Sequence, residues 1–317
     1  MSSPVDVNPP TQQLSNRQLL RKQTTLQTVF ESVKKWICLI CAAFSVLTTF
    51  GIVYVLISES LGFFKVVSPV TFLTGTEWAP LFEPKKFGIL PLLTGTMLVA
   101  AGAALFALPL GLASAVYLSE YASPKTREIL KPTFEVLAGV PTVVYGYFGL
   151  MVITPILRSI FPSIQVFNAA SGAIVVGIMI LPLVSSLCED ALTAVPKGLR
   201  EAAYGLGSTK FEVSVKVLVP AAFSGIMASF VLAISRAVGE TMAVSLAAGM
   251  TPKLTLNPGE SIQTMTSYIV QVSMGDTPAG SIVYKTIFAV GLTLFIVTLF
   301  MNMLSRRLVE QFGSANK

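Results

Sequence analysis

Apolar positions in this chain come in long blocks, with polar residues gathered between them and at both ends. The stretches 36–57, 89–118, 136–157, 169–188, 221–250 and 282–304 are each apolar and long enough to cross a bilayer as a helix, for which about 20 residues suffice. The second is longer than one crossing needs and contains Pro91 and Pro109, which predicts tilt, a kink or a first turn outside the hydrocarbon. The fifth is interrupted by Arg236 and Glu240. The pattern predicts an all-α polytopic membrane protein with six transmembrane helices. Residues 1–35 read as a disordered tail with an amphipathic lead-in, in which Leu26, Val29, Phe30 and Val33 share one helical face. The first span follows at 36–57, a core of five spans occupies 89–305, and 306–317 form a polar C-terminus.

Composition sharpens this reading. The 317 residues are 53% hydrophobic and 12% charged, with a mean hydropathy of +0.73. A water-soluble fold carries roughly 25% charged residues, so this chain could not cover a soluble surface. No apolar signal-type segment precedes Trp36. The sequence has no histidine, which excludes Ser-His-Asp and Cys-His hydrolases, H-E-x-x-H metalloproteases and His-ligated metal or haem. Asp6, Asp190 and Asp276 all lie outside the apolar runs, so an intramembrane aspartyl enzyme is excluded too. No catalytic residue and no metal ligand is assigned. Cys38 and Cys41 fall within the first span and Cys188 ends the fourth, where each reads as a small hydrophobe.

The formal charge of +6 suggests nucleic acid until the basic residues are placed. Arg17, Arg21, Lys22, Lys34 and Lys35 precede the first span, Lys125, Arg127 and Lys131 follow the second, and Lys197, Arg200, Lys210 and Lys216 follow the fourth. Arg306, Arg307 and Lys317 follow the sixth. They outnumber Lys65, Lys85, Lys86, Arg158, Lys253 and Lys285 on the opposite side. The positive-inside rule places both termini in the cytoplasm. The basic excess is an insertion signal, not a nucleic-acid footprint.

The segment 189–220, between the fourth and fifth spans, reads as a rigid cytoplasmic knob. Pro196 suits a first helical turn, and Leu199, Ala202, Ala203 and Leu206 repeat at i, i+3, i+4, i+7. Gly207 ends that helix, and Thr209-Lys210-Phe211-Glu212 has the form of a capping box that starts another. The adjacent alanines offer a surface that another protein could approach closely. Gly205-Leu206-Gly207-Ser208-Thr209-Lys210 lacks both the spacing and the strand-to-helix setting of a phosphate-binding loop, so any ATP must bind a partner.

Glu201-Ala202-Ala203, with Gly207 and then Val217 and Val219-Pro220, resembles the EAA loop of ABC-importer permeases. The resemblance implies that Glu201, Ala202, Ala203, Gly207 and Pro220 belong to an element that docks on an ATPase subunit and transmits its closure.

Arg236 and Glu240 are four residues apart in the fifth span, and a charge at mid-bilayer costs about 2.5–3.5 kcal/mol on insertion scales. On one continuous helix the two share a face. One reading is a salt bridge that locks the bundle. The other is a polar pathway in which the Arg fork meets an oxyanion, Glu240 holds that fork, and Gly239 allows close approach. The segment Arg236-Ala237-Val238-Gly239-Glu240-Thr241-Met242-Ala243-Val244 resembles the signature of the PstC family of phosphate-importer permeases. So do Gly139-Val140-Pro141-Thr142-Val143-Val144-Tyr145-Gly146-Tyr147 and Leu108-Pro109-Leu110-Gly111 with the residues through Tyr121. The likeness covers roughly residues 75–310. It implies a type I ABC importer permease of the MetI-like bundle in a bacterial inner membrane. Its implied partners are a PstA-like permease, two PstB-like ATPases that hold ATP and magnesium, a periplasmic PstS-like phosphate-binding protein, and phosphate. Arg236, Gly239, Glu240 and Thr241 are then the substrate-pathway residues. Arginine alone does not distinguish tetrahedral anions, so sulfate or molybdate, and a phosphate-sensing scaffold role, are the alternatives.

Overall fold

The computed structural model describes residues 10–314, with side chains described over 31–304 and at Arg306 and Arg307. The chain divides into two bodies, Met1–Ser58 and Glu59–Lys317. Helix α1 runs Pro10–Phe64. Residues 10–35, read from the sequence as a loose tail, are therefore helical and continuous with the first span. The side chains of Leu26, Val29 and Phe30, on which the amphipathic lead-in rested, lie outside the described residues, as does the backbone before Pro10. Most of the described apolar side chains of the first body, such as Phe44 and Phe50, are exposed.

In the second body, α2 (Pro69–Thr74) and the hairpin β1 (Trp78–Ala79) and β2 (Lys86–Phe87) precede α3 (Leu90–Val116). Pro91 lies in the first turn of α3, where its missing N–H costs nothing, and Pro109 sits inside a helix that continues past it. A π-helical turn, Tyr117–Tyr121, ends this span. Helix α4 (Pro124–Ala138) is capped by Ser123, whose hydroxyl accepts from the Thr126 N–H at 3.2 Å. The break at Gly139–Pro141 separates α4 from α5 (Thr142–Phe148), a π turn (Gly149–Ile153) and α6 (Thr154–Ile160). The third span thus begins at Thr142, not at residue 136 as the hydropathy suggested: α4 ends at Gly139, and Pro141, which has no N–H to donate, caps the next helix.

Helix α7 (Ala169–Thr193) is the most deeply packed span. It lies so close to α3 that a Cβ on Gly102 would come within 2.8 Å of Ala173 Cβ, and one on Gly111 within 2.6 Å of Val184 Cγ1. The loop 194–222 contains α8 (Lys197–Gly205), α9 (Lys210–Glu212), a π turn (Val213–Leu218) and α10 (Val219–Ala221). Helix α11 (Phe223–Val238) leaves that segment at 74°. Short α12 (Met242–Ala247), α13 (Met265–Met274) and the long α14 (Ile282–Ser314) complete the chain.

Among the described residues, five segments are long and apolar enough to span a bilayer alone, and Phe223–Val238 passes that test only together with Lys210–Ala221, from which it is bent by 74°. The fifth span is not the single helix that the sequence suggested. It stops at Val238 and restarts at Met242. A separate aromatic cluster at one end joins Phe63, Phe72 and Trp78 to Tyr268, the last two meeting edge to face at 4.9 Å.

Candidate functional site

The knob forms as the residues dictate. Helix α8 closes with Gly207 at φ +84°, its N–H donating to Tyr204 O at 2.9 Å while the Ser208 N–H donates to Ala203 O at 3.2 Å. This is the paired C-terminal arrangement that a left-handed glycine permits. The capping box is also present. The Thr209 hydroxyl accepts from the Glu212 N–H, and the Glu212 carboxylate accepts from the Thr209 N–H at 3.1 Å. That bond, reinforced by Lys216 and the Thr209 hydroxyl, holds the Glu212 carboxyl down at about 2.

The apolar stripe of α8 does not behave as one surface. Ala203 is buried in the chain's own core, whereas Glu201 and Ala202 are exposed and Leu206 is 88% exposed. A small-residue patch formed by both alanines is therefore corrected to Ala202 alone. Around it Leu199, Leu206 and Phe211 are also exposed, and Gly198 and Gly205 have open space where a side chain would stand. Pro220, in α10, lines a recess behind the knob with Leu199 and Val217.

At the other end of α11, the expected Arg236–Glu240 salt bridge is absent. The helix ends between them, at Gly239, so the i, i+4 geometry of a continuous helix does not apply. Arg236 sits in the last turn of α11, exposed, with no hydrogen bond or ion pair among the described residues. Glu240 turns away: its Oε1 accepts from the Ala243 N–H at 3.1 Å, capping α12, and its carbonyl accepts from the Thr266 hydroxyl at 2.8 Å. Each charge thus meets the helix end of favourable sign. The Thr241 hydroxyl donates to Gly239 O at 3.3 Å. Gly239 and Arg236 are exposed, while Glu240 and Thr241 are half-buried. Tyr145 is structural, its hydroxyl donating to Leu137 O at 2.7 Å across the Gly139–Pro141 break, whereas Tyr147 is exposed.

Arg236 lines a cavity of about 390 Å³ with Lys131, Phe134 and Glu135 of α4 and Ser186, Glu189 and Asp190 of α7. Glu189 is almost fully buried and pairs with Lys131 at 2.6 Å and Arg127 at 3.7 Å. The Arg127 guanidinium also donates twice to Leu118 O, at 2.6 and 3.2 Å. Next to it, the buried Glu120 carboxylate forms an ion pair with Arg200 of α8 at 2.9 Å. Sequence reasoning missed this group. Its only signal was two acids, Glu120 and Glu189, set at the ends of apolar runs beside basic loops.

The sequence pattern of the family described as "Binding-protein-dependent transport system inner membrane component" matches residues 107–310, which include the knob, the α11–α12 break and the cavity. The chain is 37% identical to the "Probable ABC transporter permease protein YqgH" of Bacillus subtilis (strain 168) over 84% of this chain and 87% of that one. It is 33% identical to the "Phosphate transport system permease protein PstC" of Mesorhizobium japonicum over 77% of this chain and 79% of that one. Among solved structures, the inward-facing MetNI methionine ABC transporter superposes with a TM-score of 0.53 at 18% identity, covering 71% of this chain and 94% of its own. A bacterial alginate ABC transporter superposes at 0.52 and 13%, covering 83% and 98%. The fold is that of a type I ABC importer permease, and this chain belongs to the family of inner-membrane components of binding-protein-dependent transport systems, as a permease subunit and not itself an enzyme.

Proposed function

We propose that the substrate is inorganic phosphate, carried from the periplasm to the cytoplasm by alternating access, and that Arg236 is the cation that meets it. The observation that carries this reading is an exposed guanidinium inside the fifth span, lining a cavity and left without an acidic partner. A fork of donors in no ion pair suits a tetrahedral oxyanion, and Glu189, one of the three acids lining the same cavity with Glu135 and Asp190, is already engaged by Lys131 and Arg127. Relatives named for phosphate transport, at 28–33% identity, support the same choice. Glu240, engaged with α12, keeps Arg236 available instead of neutralising it, and Gly239 opens the approach.

In this reading a PstA-like permease completes the pore. Two PstB-like ATPases carry ATP and magnesium and seat on Ala202, Leu206 and their neighbours. A PstS-like binding protein delivers phosphate to the face opposite the knob. Both termini are cytoplasmic. The test is uptake into vesicles containing the complete complex, with phosphate, sulfate and molybdate competing. Preferential phosphate uptake that Arg236→Gln abolishes is the expected result. Preference for another oxyanion would reassign the substrate, and unchanged uptake by the Arg236→Gln complex would remove Arg236 from the pathway.

A further inference from the structure

The Arg236 cavity holds more negative charge than a bare oxyanion would favour. Its charged lining is Lys131 and Glu135 of α4, Glu189 and Asp190 of α7, and Arg236 of α11. Lys131 and Glu189 neutralise each other at 2.6 Å, with Arg127 joining them at 3.7 Å. Arg236, Glu135 and Asp190 remain. All three are exposed, and among the described residues their side chains enter no hydrogen bond or ion pair. A fully deprotonated oxyanion would therefore meet one free cation and two free carboxylates.

Asp190 is also placed against the stability of its own helix. It lies in the last turn of α7, where the helix dipole favours a cation and disfavours an anion. Its neighbour Glu189 is compensated by Lys131 and Arg127, whereas Asp190 has no such partner among the described residues. Met179, Leu183, Ser186 and Asp190 line the cavity from one face of α7, so the carboxylate stands one turn beyond Ser186 where that face ends. A side chain that breaks a local rule with no structural return is expected at a functional position.

We propose that Asp190 is a specificity-determining residue: Arg236 takes the bare oxygens of hydrogen phosphate, and the Asp190 carboxylate accepts the hydrogen bond that the P–OH group donates. This deepens the phosphate reading and rests on Arg236 serving the anion. An ionised carboxylate only accepts hydrogen bonds. Near neutral pH, phosphate and arsenate keep at least one proton, whereas sulfate and molybdate keep none. Asp190 is a partner to the first pair and a like charge to the second, and Glu135 adds to that repulsion. Attraction by Arg236 with rejection by Asp190 supplies the discrimination that an arginine alone lacks.

The test uses the complete complex in inside-out vesicles, where anions in the bath reach the knob side without prior selection by the binding protein. Cys38, Cys41 and Cys188 are replaced, and Ser186→Cys reports from the cavity wall. Its rate of modification by a membrane-impermeant thiol reagent is read against added phosphate, arsenate or sulfate. In the parent, phosphate and arsenate should protect, and at least about tenfold more sulfate should be needed for the same protection. In Asp190→Asn, sulfate should protect as well as phosphate does, and adding Glu135→Gln should strengthen sulfate further. Asp190→Glu keeps the acceptor and should keep the preference. Both acids are exposed, so their variants should assemble. A parent-like preference in Asp190→Asn, equal protection by phosphate and sulfate in the parent, or no protection by any of the anions would overturn the proposal. Phosphate protection that survives Arg236→Gln, with Asp190→Asn still relaxing the preference, would remove the Arg236 reading alone.

Discussion

Arg236 and Glu240 stand on opposite sides of a helix break, the first in the last turn of α11 and the second capping α12 through the Ala243 N–H. The two charges are compensated separately, by helix ends each worth about 0.3–1 kcal/mol. Removing one does not strand the other.

Arg236→Gln should therefore abolish phosphate uptake while changing stability by no more than about 0.5 kcal/mol, as at an ordinary exposed site. Arg236→Lys keeps the charge but loses the planar fork, so severe impairment is expected in place of rescue. Glu240→Ala should cost about 1 kcal/mol through the lost cap. Melting and uptake of the same reconstituted variants check all three. A large destabilisation in Arg236→Gln would revive the salt-bridge reading.

Ala202 and Ala203 should differ sharply. Ala203→Asp places a carboxylate in the chain's own core and should cost at least about 1–3 kcal/mol, seen as poor recovery of the permease itself. Ala202→Asp, on the exposed side, should leave the permease intact and release the ATPase subunits. Co-purification of the ATPase with each variant distinguishes them. Equal retention in Ala202→Asp and the parent would show that this face is not the docking surface.

Gly207→Val forces a β-branched residue to φ +84°, at about 1–2 kcal/mol. Asn, which tolerates the left-handed region, should cost less. Substrate-stimulated ATP hydrolysis should fall in the Val variant and recover largely in the Asn variant. Similar coupling in Val and Gly would show that the knob tolerates a disordered corner.

Leu256→Cys and Gly198→Cys should label from opposite sides of the membrane. Both positions are exposed, Leu256 at 79% and Gly198 with open space around it. Periplasmic labelling of the first and cytoplasmic labelling of the second fit the charge distribution. Labelling of both from one side would refute the span count between them.

The sequence alone determined whatever depends on neighbours along the chain. Apolar block length settled the membrane class, because a bilayer selects on hydropathy over a fixed thickness. Gly207 and the Thr209–Glu212 box were legible because caps are local hydrogen-bonding problems with few solutions. Tertiary structure decided the rest. Hydropathy could not show that Gly139–Pro141 separates α4 from the third span, nor that the fifth span breaks at Gly239, since each piece is apolar enough to pass as part of a longer helix. Periodicity placed Ala202 and Ala203 on one stripe, but only packing determined that Ala203 faces the core and Ala202 faces out. The pairing of Glu189 with Lys131 and of Glu120 with Arg200 joins residues far apart in sequence. A buried carboxylate takes whichever cation the fold brings within reach, and that choice is made in three dimensions.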